Sequence, residues 1–389
     1  MEVKVEKRKL KLALKTVAIA AAKKSPNPSM EGILWYVKDS RIVVAACNGS
    51  IQMNAVAECT ISPGGETTAT FVTKKLVIDM IDKMSDNEVV IDIKDEKKIK
   101  LKSGRSVYEV PVLGKDDFLH LSNVNNDTKT RVVVNQKDFQ NAIQKIAFAL
   151  AKNENVPILT GMKCEIDGNF INLVAMDGIR LGQTKLAMKD SQIGETKTIV
   201  IPGETARILL AQKALSQNSE HNIVLEFDNK TLKIKTNYFV LKTKLLSGTF
   251  LNVNNVLESL KEPQCSINLN NDEILQMITA LDGLTVISKL EKSHLGIMSF
   301  DPEKSCIHIK SNADVGYGIQ SVVLKNYRGD SFQIGFNLFF MLENFRVLAD
   351  EKEVTFSFYG SNNPMKIEGE NLSYILLPIR IMVPQKQEN

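Results

Sequence analysis

The chain has 389 residues, 43% of them hydrophobic and 24% charged, with 11 prolines. That composition excludes disordered, fibrous and collagen-like chains and supplies apolar side chains for two or three cores. No uncharged apolar run approaches a membrane span, and the opening MEVKVEKRKLKLALK places Lys and Arg where a signal peptide has its apolar centre, so a cytoplasmic protein with no membrane partner is expected. Five scattered cysteines without a CxxC pair and four isolated histidines encode neither a disulfide framework nor a metal cage, and no cofactor or metal is expected. The net charge of +4, from 49 basic and 45 acidic residues, permits an anionic partner without demanding one.

In chain order, residues 7–24 predict a helix with Leu10, Leu14, Val17 and Ala21 on one apolar stripe. Lys4, Arg8, Lys11 and Lys15 form a second, basic stripe, and residues 1–24 hold eight basic side chains against two acidic ones. A strand pair follows from Gly32, then a second helix and strand pair in FVTKKLVIDMIDKMSDNEVVIDIKDEKKIKLKSGRSVYEVPVL, which adds Lys74, Lys75 and Lys83. The same succession returns with a helix over 136–152 (Phe139, Ile143, Ile146 and Leu150 on its stripe) and a strand pair from Gly161. Its second helix opens at Pro202-Gly203 and carries Arg207 and Lys213. It returns once more with a helix over 272–289, a strand pair from Gly296 and a last helix–strand segment ending YILLPIRI. The three glycines are 129 and 135 residues apart, a period that marks tandem repeats. Strand segments such as Leu232-Lys233-Ile234-Lys235 alternate apolar and polar residues, and Asp167-Gly168-Asn169 and Asp228-Asn229-Lys230 mark turns. The fold class is therefore α+β: three repeats, 1–128, 129–260 and 261–389, each with two helices on an antiparallel sheet. Like faces in succession turn the chain by a similar angle each time, so an arc or ring is expected.

The basic stripe can be a solvated face or can meet phosphates. At this point Pro157-Ile158-Leu159-Thr160-Gly161 with Leu173-Val174-Ala175-Met176-Asp177-Gly178-Ile179-Arg180-Leu181 resembles the "PILTG … LVATDGHRLA" core of the bacterial DNA polymerase III beta subunit, the sliding clamp. Phe336-Asn337 opens the last helix as in that family, and Tyr374–Ile381 resembles its C-terminal "YVIMPMRL". The resemblance implies a homodimeric, head-to-tail ring of six domains encircling duplex DNA without reading its sequence. It implies a non-catalytic processivity factor whose partners are the polymerase catalytic subunit, the clamp loader and other proteins bearing a clamp-binding peptide. The DNA contacts expected are then Arg8, Lys11 and Lys15 of the basic stripe and Lys74 and Arg207 of the second-helix segments, to which the resemblance adds Lys24 and Asn153 in the loops after the first helices. It places a peptide pocket at Leu159, Met176, Gly178, Arg180, Leu181, Val256, Asn337, Phe340, Ile375, Leu376, Pro378 and Ile379, with Arg180 offering donors to a peptide carbonyl. The dimer contact falls at Tyr108 against Val286 and Ile287.

The chain departs from the family pattern in places. Ile179 stands where the family often has histidine, Phe250–Asn255 lacks the "FPDYRR" proline and arginines, His294 replaces an aromatic residue, and Met382–Asn389 extends beyond the usual end. The third repeat's first helix opens Asp272-Glu273 and carries little positive charge, so a uniformly basic lining is not expected. An enzyme would draw on Asp177, Arg180 and Glu165, but no nucleophile or phosphate loop accompanies them. The alternative within the same fold is a scaffold, or a viral or mobile-element paralogue, that binds proteins without encircling DNA.

Overall fold

The computed structural model describes residues 1–63, 67–93, 97–152, 155–191, 195–212, 221–253, 260, 262–289, 294–325, 327–329, 331 and 333–381. Among these it places helices α1 (Lys7–Ala18), α2 (Val77–Asp82), α3 (Gln136–Ile146), α4 (Gly203–Ala211), α5 (Asn271–Ser288) and α6 (Leu338–Arg346). The chain divides into two compact units, Met1–Gln140 with Ala187–Ser247, and Asn141–Leu186 with Gly248–Asn389. Each unit thus takes one terminal repeat together with half of the central one.

The first unit is built on one sheet in which every pairing is antiparallel. Its long strand Ile51–Ile61 pairs with Arg41–Cys47 on one edge. On the other edge it pairs first with Phe239–Lys244, from Thr243↔Ile51 to Phe239↔Ala55, and then with the Glu2–Glu6 strand, from Val5↔Cys59 to Val3↔Ile61. Lys4, expected on the first helix, lies in that N-terminal strand: in EVKVE the period is two, Val3 and Val5 are buried, and the helix starts only at Lys7. The helix ends at Ala18 rather than at Lys24, and Ala22 N–H bonds to Met30 O as the chain turns into the proline-punctuated Ser25–Ser29 segment. The predicted apolar stripe Leu10, Leu14, Val17 and Ala21 is buried throughout.

The second unit holds a sheet running from Gly161–Asp167 through Phe170–Met176, Arg180–Ala187, Leu372–Leu376, Met365–Gly369 and Glu353–Phe358 to Cys265–Asn270. A four-stranded sheet of Gly316–Val323, Cys306–Ala313, Leu295–Asp301 and Gln333–Asn337 accompanies it. Helices α5 and α6 cover a core of Ile274, Met277, Leu281, Leu342, Phe345, Phe356 and Tyr374. Helix α3 stops at Ile146 and tightens into a 3-10 turn over Ala147–Ala149, shorter than the predicted 136–152. Its stripe of Phe139, Ile143, Ile146 and Leu150 is buried.

In both units a repeat's long central strand pairs with the last strand of the next repeat. Ile51–Ile61 does so with Phe239–Lys244, and Arg180–Ala187 with Leu372–Leu376. These two pairings are the first and second joints below. The corresponding strands that have no such neighbour among the described residues, Ser106–Pro111 in the first repeat and Gly316–Val323 in the third, lie at the ends of their sheets.

Candidate functional site

The second joint is organised by a turn whose local chemistry sets its shape. Asp177 Oδ1 accepts the backbone N–H groups of Ile179 at 3.0 Å and Arg180 at 2.7 Å, and Asp177 N–H donates to Arg180 O at 3.1 Å. Gly178 takes φ +90°, a conformation that glycine adopts without strain. Leu377 N–H then bonds to Ile179 O at 3.0 Å, tying the turn to the C-terminal segment.

Strand alternation divides the expected pocket residues between two faces. Leu181 pairs with Ile375, and both enter an apolar cluster with Val174 and Val253, flanked by Met176, Phe250 and Leu260. Arg180 and Leu376 point the other way. Leu376 belongs to the packed core of the third repeat, so its expected place in the pocket is corrected: the same alternation sends Leu377, which is exposed, to the side of Ile375. Leu377, Phe250 and Val253 were missed as candidates, and a period of two counted from Ile375 would have found the first. Phe340 also lies on the Arg180 face, and Asn337 is the N-cap of α6, its Oδ1 accepting Phe340 N–H at 3.1 Å. Ile379 N–H bonds to Gly335 O at 2.8 Å, where Gly335 leaves no room for a Cβ, and Pro378 is half-buried beside it. Leu159 is buried in a short 3-10 turn, its carbonyl accepting Ala151 N–H at 3.1 Å. Val256 and the tail Met382–Asn389 lie outside the described residues.

Arg180 is only 3% exposed. Its Nε and one terminal nitrogen reach Asp177 Oδ2 at 3.0 Å, the other terminal nitrogen pairs with Glu343 of α6, and the guanidinium lies 4.0 Å from the Phe340 ring centre and 5.5 Å from that of Phe148. The expectation that Arg180 offers donors to a bound peptide is therefore revised. A cation this buried is held by its two carboxylates and two rings, and it fastens the turn to α6. Ile179 is exposed at the mouth of the turn, while His294 packs on Phe339 with Nδ1 2.9 Å from Ser288 O.

Of the residues expected to meet DNA, Arg8, Lys15, Lys24, Lys74 and Arg207 are exposed and form no ion pair among the described residues. Lys11 is half-buried and paired with Asp82 of α2, whose carboxyl that hydrogen bond holds below its ordinary range. Asn153 and Lys213 lie outside the described residues. On α5, Glu273 is buried because it closes a capping box: its carboxylate accepts Asn270 N–H at 2.9 Å and Lys325 N–H at 2.7 Å. The exposed face of α5 carries Asp272, Gln276, Thr279 and Asp282, with no Lys or Arg. Tyr108 is half-buried on the edge strand of the first repeat. Val286 is exposed, whereas Ile287 packs on the third-repeat core and against the position of Gly318. Beside them, the Gly316–Val323 strand lies at the end of its sheet.

Asp177 is committed to its turn and to Arg180, while Glu165 pairs with Lys163 on the Gly161–Asp167 strand. Burial pushes the Cys164 thiol up to about 12, the behaviour of a core side chain. No group of three or more His, Cys, Asp or Glu able to hold a metal occurs among the described residues.

Three family models match in succession: the DNA polymerase III beta subunit N-terminal domain over residues 1–122, the central domain over 133–252 and the C-terminal domain over 257–380. The chain belongs to the DNA polymerase III beta subunit family. Among its relatives, the beta sliding clamp of Chlamydia muridarum is 23% identical over 384 residues, spanning 98% of this chain and 99% of its own. That of Staphylococcus aureus is 23% identical over 370 residues, spanning 93% and 94%. The fold is similar to the Bacillus subtilis sliding clamp, with a TM-score of 0.88 at 20% identity over 98% of this chain and 100% of that one. The Pseudomonas aeruginosa clamp bound to griselimycin gives 0.87 at 18% identity over the same shares. The protein is a sliding clamp with three clamp domains, a divergent member at these identities. No helix among the described residues is long and apolar enough to cross a membrane.

Proposed function

We propose that the protein acts in the cytoplasm as a non-catalytic processivity factor: two copies close head to tail, repeats 1–128, 129–260 and 261–389 of each forming a ring around duplex DNA. The observation that carries this reading is the count of joints. Three repeats make two internal joints of one design, and the two strands left over, Ser106–Pro111 and Gly316–Val323, are the halves of a third. A second copy supplies the missing half at each end and covers two open sheet edges, with Val107, Tyr317, Ile319 and Val323 exposed along them. Arg8, Lys15, Lys24, Lys74 and Arg207 provide mobile phosphate contacts that tolerate sliding, while α5 contributes none. The apolar cluster around Leu181 and Ile375, open at Met176 and Leu377, takes short peptides of the polymerase, the loader and other partners.

The test compares retention on closed circular DNA with retention on the same DNA linearised. Loss from the linear form alone, together with a dimer by mass, supports encirclement; equal retention on both overturns it. Alanine at Arg8 and Lys15 together is expected to reduce the salt dependence of DNA binding by about two phosphate contacts.

A further inference from the structure

At the first joint the ladder on one edge of the Ile51–Ile61 strand stops at Ala55, where Phe239 pairs, and resumes at Cys59, where Val5 pairs. Val56, Ala57 and Glu58 therefore face an opening where the strand changes partners, and this fork holds a groove of about 620 Å³ between α1, the strand and the Thr236–Val240 turn. Its walls expose Leu12 (54%), Val56 (54%) and Tyr238 (36%).

The second joint has the equivalent strand end, where the ladder between Arg180–Ala187 and Leu372–Leu376 stops at Thr184, and its residues are the internal control. Helices α1 and α3 start 129 residues apart, as do the glycines that open the two strand pairs, so Leu12 corresponds to Asn141 and Val56 to Lys185. Phe239↔Ala55 and Leu372↔Thr184 are equivalent pairs, so Tyr238 corresponds to Asn371. All three apolar residues are thus polar in the second joint. There the groove beside the equivalent strand end is about 250 Å³, is lined by Lys185 and Asn371 but by no residue of α3, and satisfies itself: Lys185 lies 3.9 Å from the Phe170 ring centre, Lys185 N–H bonds to Asn371 O at 2.9 Å, and Lys366 pairs with Glu368 at 2.7 Å. Around the first fork, Arg41 has no ion-pair partner among the described residues, and Lys9 has only the highly exposed Glu58 at 3.3 Å and the more distant Glu6.

From this asymmetry we infer that the first fork is a second docking site, for an extended acidic segment of a partner protein with an aliphatic or aromatic anchor. The segment adds to the open edge at Val56–Glu58, sets its apolar side chains over Leu12, Val56 and Tyr238, and meets Arg41 and Lys9 with its carboxylates. A duplex cannot use the apolar walls, and with Glu58 directly across the ladder from Arg41 the groove still sets two cations, Arg41 and Lys9, against one carboxylate, which favours an acidic over a basic segment. The inference stands whether or not the ring encircles DNA.

The probe is a fluorescein-labelled peptide, Leu-Asp-Phe-Glu-Val-Asp, titrated into the full-length protein, with its lysine-for-acid counterpart as control. Two variants accompany it: Leu12→Asn/Val56→Lys/Tyr238→Asn, which installs the residues of the second joint at exposed positions, and Arg41→Ser. The expected result is acid-selective binding, at least tenfold weaker in the triple variant and several-fold weaker in Arg41→Ser. Slowed amide exchange at Val56–Glu58 should accompany it, with binding retained when the second-joint cleft is altered by Leu377→Ser. No binding below about 1 mM, binding unchanged by the triple variant, protection confined to Ile179–Leu181, or displacement of the probe by a short duplex would each overturn the inference.

Discussion

The two joints share one backbone design and exchange their chemistry. In both, an Asx turn accepts two backbone N–H groups: Asn48 Oδ1 takes Ser50 and Ile51 at 3.0 and 2.8 Å, as Asp177 Oδ1 takes Ile179 and Arg180. In both, the glycine after it takes φ +90° and the next carbonyl accepts an N–H from the end of the partner strand, Lys244 to Ser50 and Leu377 to Ile179. The side chains differ. Where the second joint pairs Leu181 with Ile375, the first pairs Gln52 with Lys242, and these bind the chain's own Leu121, Gln52 Oε1 accepting its N–H at 2.8 Å and Lys242 Nζ donating to its carbonyl at 3.4 Å. The first joint's cleft face is polar and filled by the connecting segment, with Phe118 and Leu121 packed on Cys47 and Val72, while its fork is apolar and open. The second joint is apolar at the cleft and polar at the equivalent strand end. One strand pairing can therefore present an apolar surface on either side of the joint, and a few side chains decide which.

The severest way to break the comparison is Ile51→Arg, which puts the Arg180 cation into a first joint that has Asn48 in place of Asp177. Ile51 is 1% exposed, so a loss of about 3–5 kcal/mol is expected by denaturant unfolding, with partial recovery when Asn48→Asp is added. Arg180→Leu should cost somewhat less, about 2–3 kcal/mol, since Asp177 loses its buried partner while Glu343 turns to water; Glu343→Gln in the same background should restore little. Gln52→Leu leaves the Leu121 N–H without its acceptor, and a loss of about 1–2 kcal/mol is expected, larger than for Gln52→Glu. Gly49→Ala and Gly178→Ala meet open space but the same φ, so each should cost about 1–2 kcal/mol and the two should agree. Unequal losses would show that the turns are not equivalent.

The smallest effect is pH-dependent. Burial, and then the charge of Lys242, hold the His120 imidazole below its ordinary 6.5, so the folded first joint favours the neutral ring. That contribution is present above about pH 6.5 and fades as the pH falls, because the unfolded chain takes the proton first. The second joint has Asn252 in the corresponding place. Exchange protection of the Leu121 amide should therefore decline between pH 7 and 5 relative to Val253, and His120→Asn should remove the difference.

Much of this was legible in the chain. The 129-residue spacing, the apolar stripes of α1 and α3 and the alternation in the strands depend on period alone, and burial followed them because a helix or sheet must hide its apolar face wherever it lies. The Pro157–Gly161 and Tyr374–Ile381 motifs pointed to the second joint. Three local readings failed where periods compete or contacts are remote. Lys4 sits in a five-residue strand that abuts a helix, Leu376 and Leu377 differ only in which way the pleat sends them, and Arg180 looked available because Glu343 is 163 residues away.

Sequence by itself determined the repeats, the elements and the surplus of cations on α1, since each is a property of residues near one another in the chain. Only the tertiary structure decided that Gln52 and Lys242 hold Leu121, that Arg180 is fastened between Asp177 and Glu343, and that Leu12, Val56 and Tyr238 share one open groove. Such pairings join residues tens to hundreds of positions apart, and the register of one strand against another, which no local period encodes, sets which of them meet.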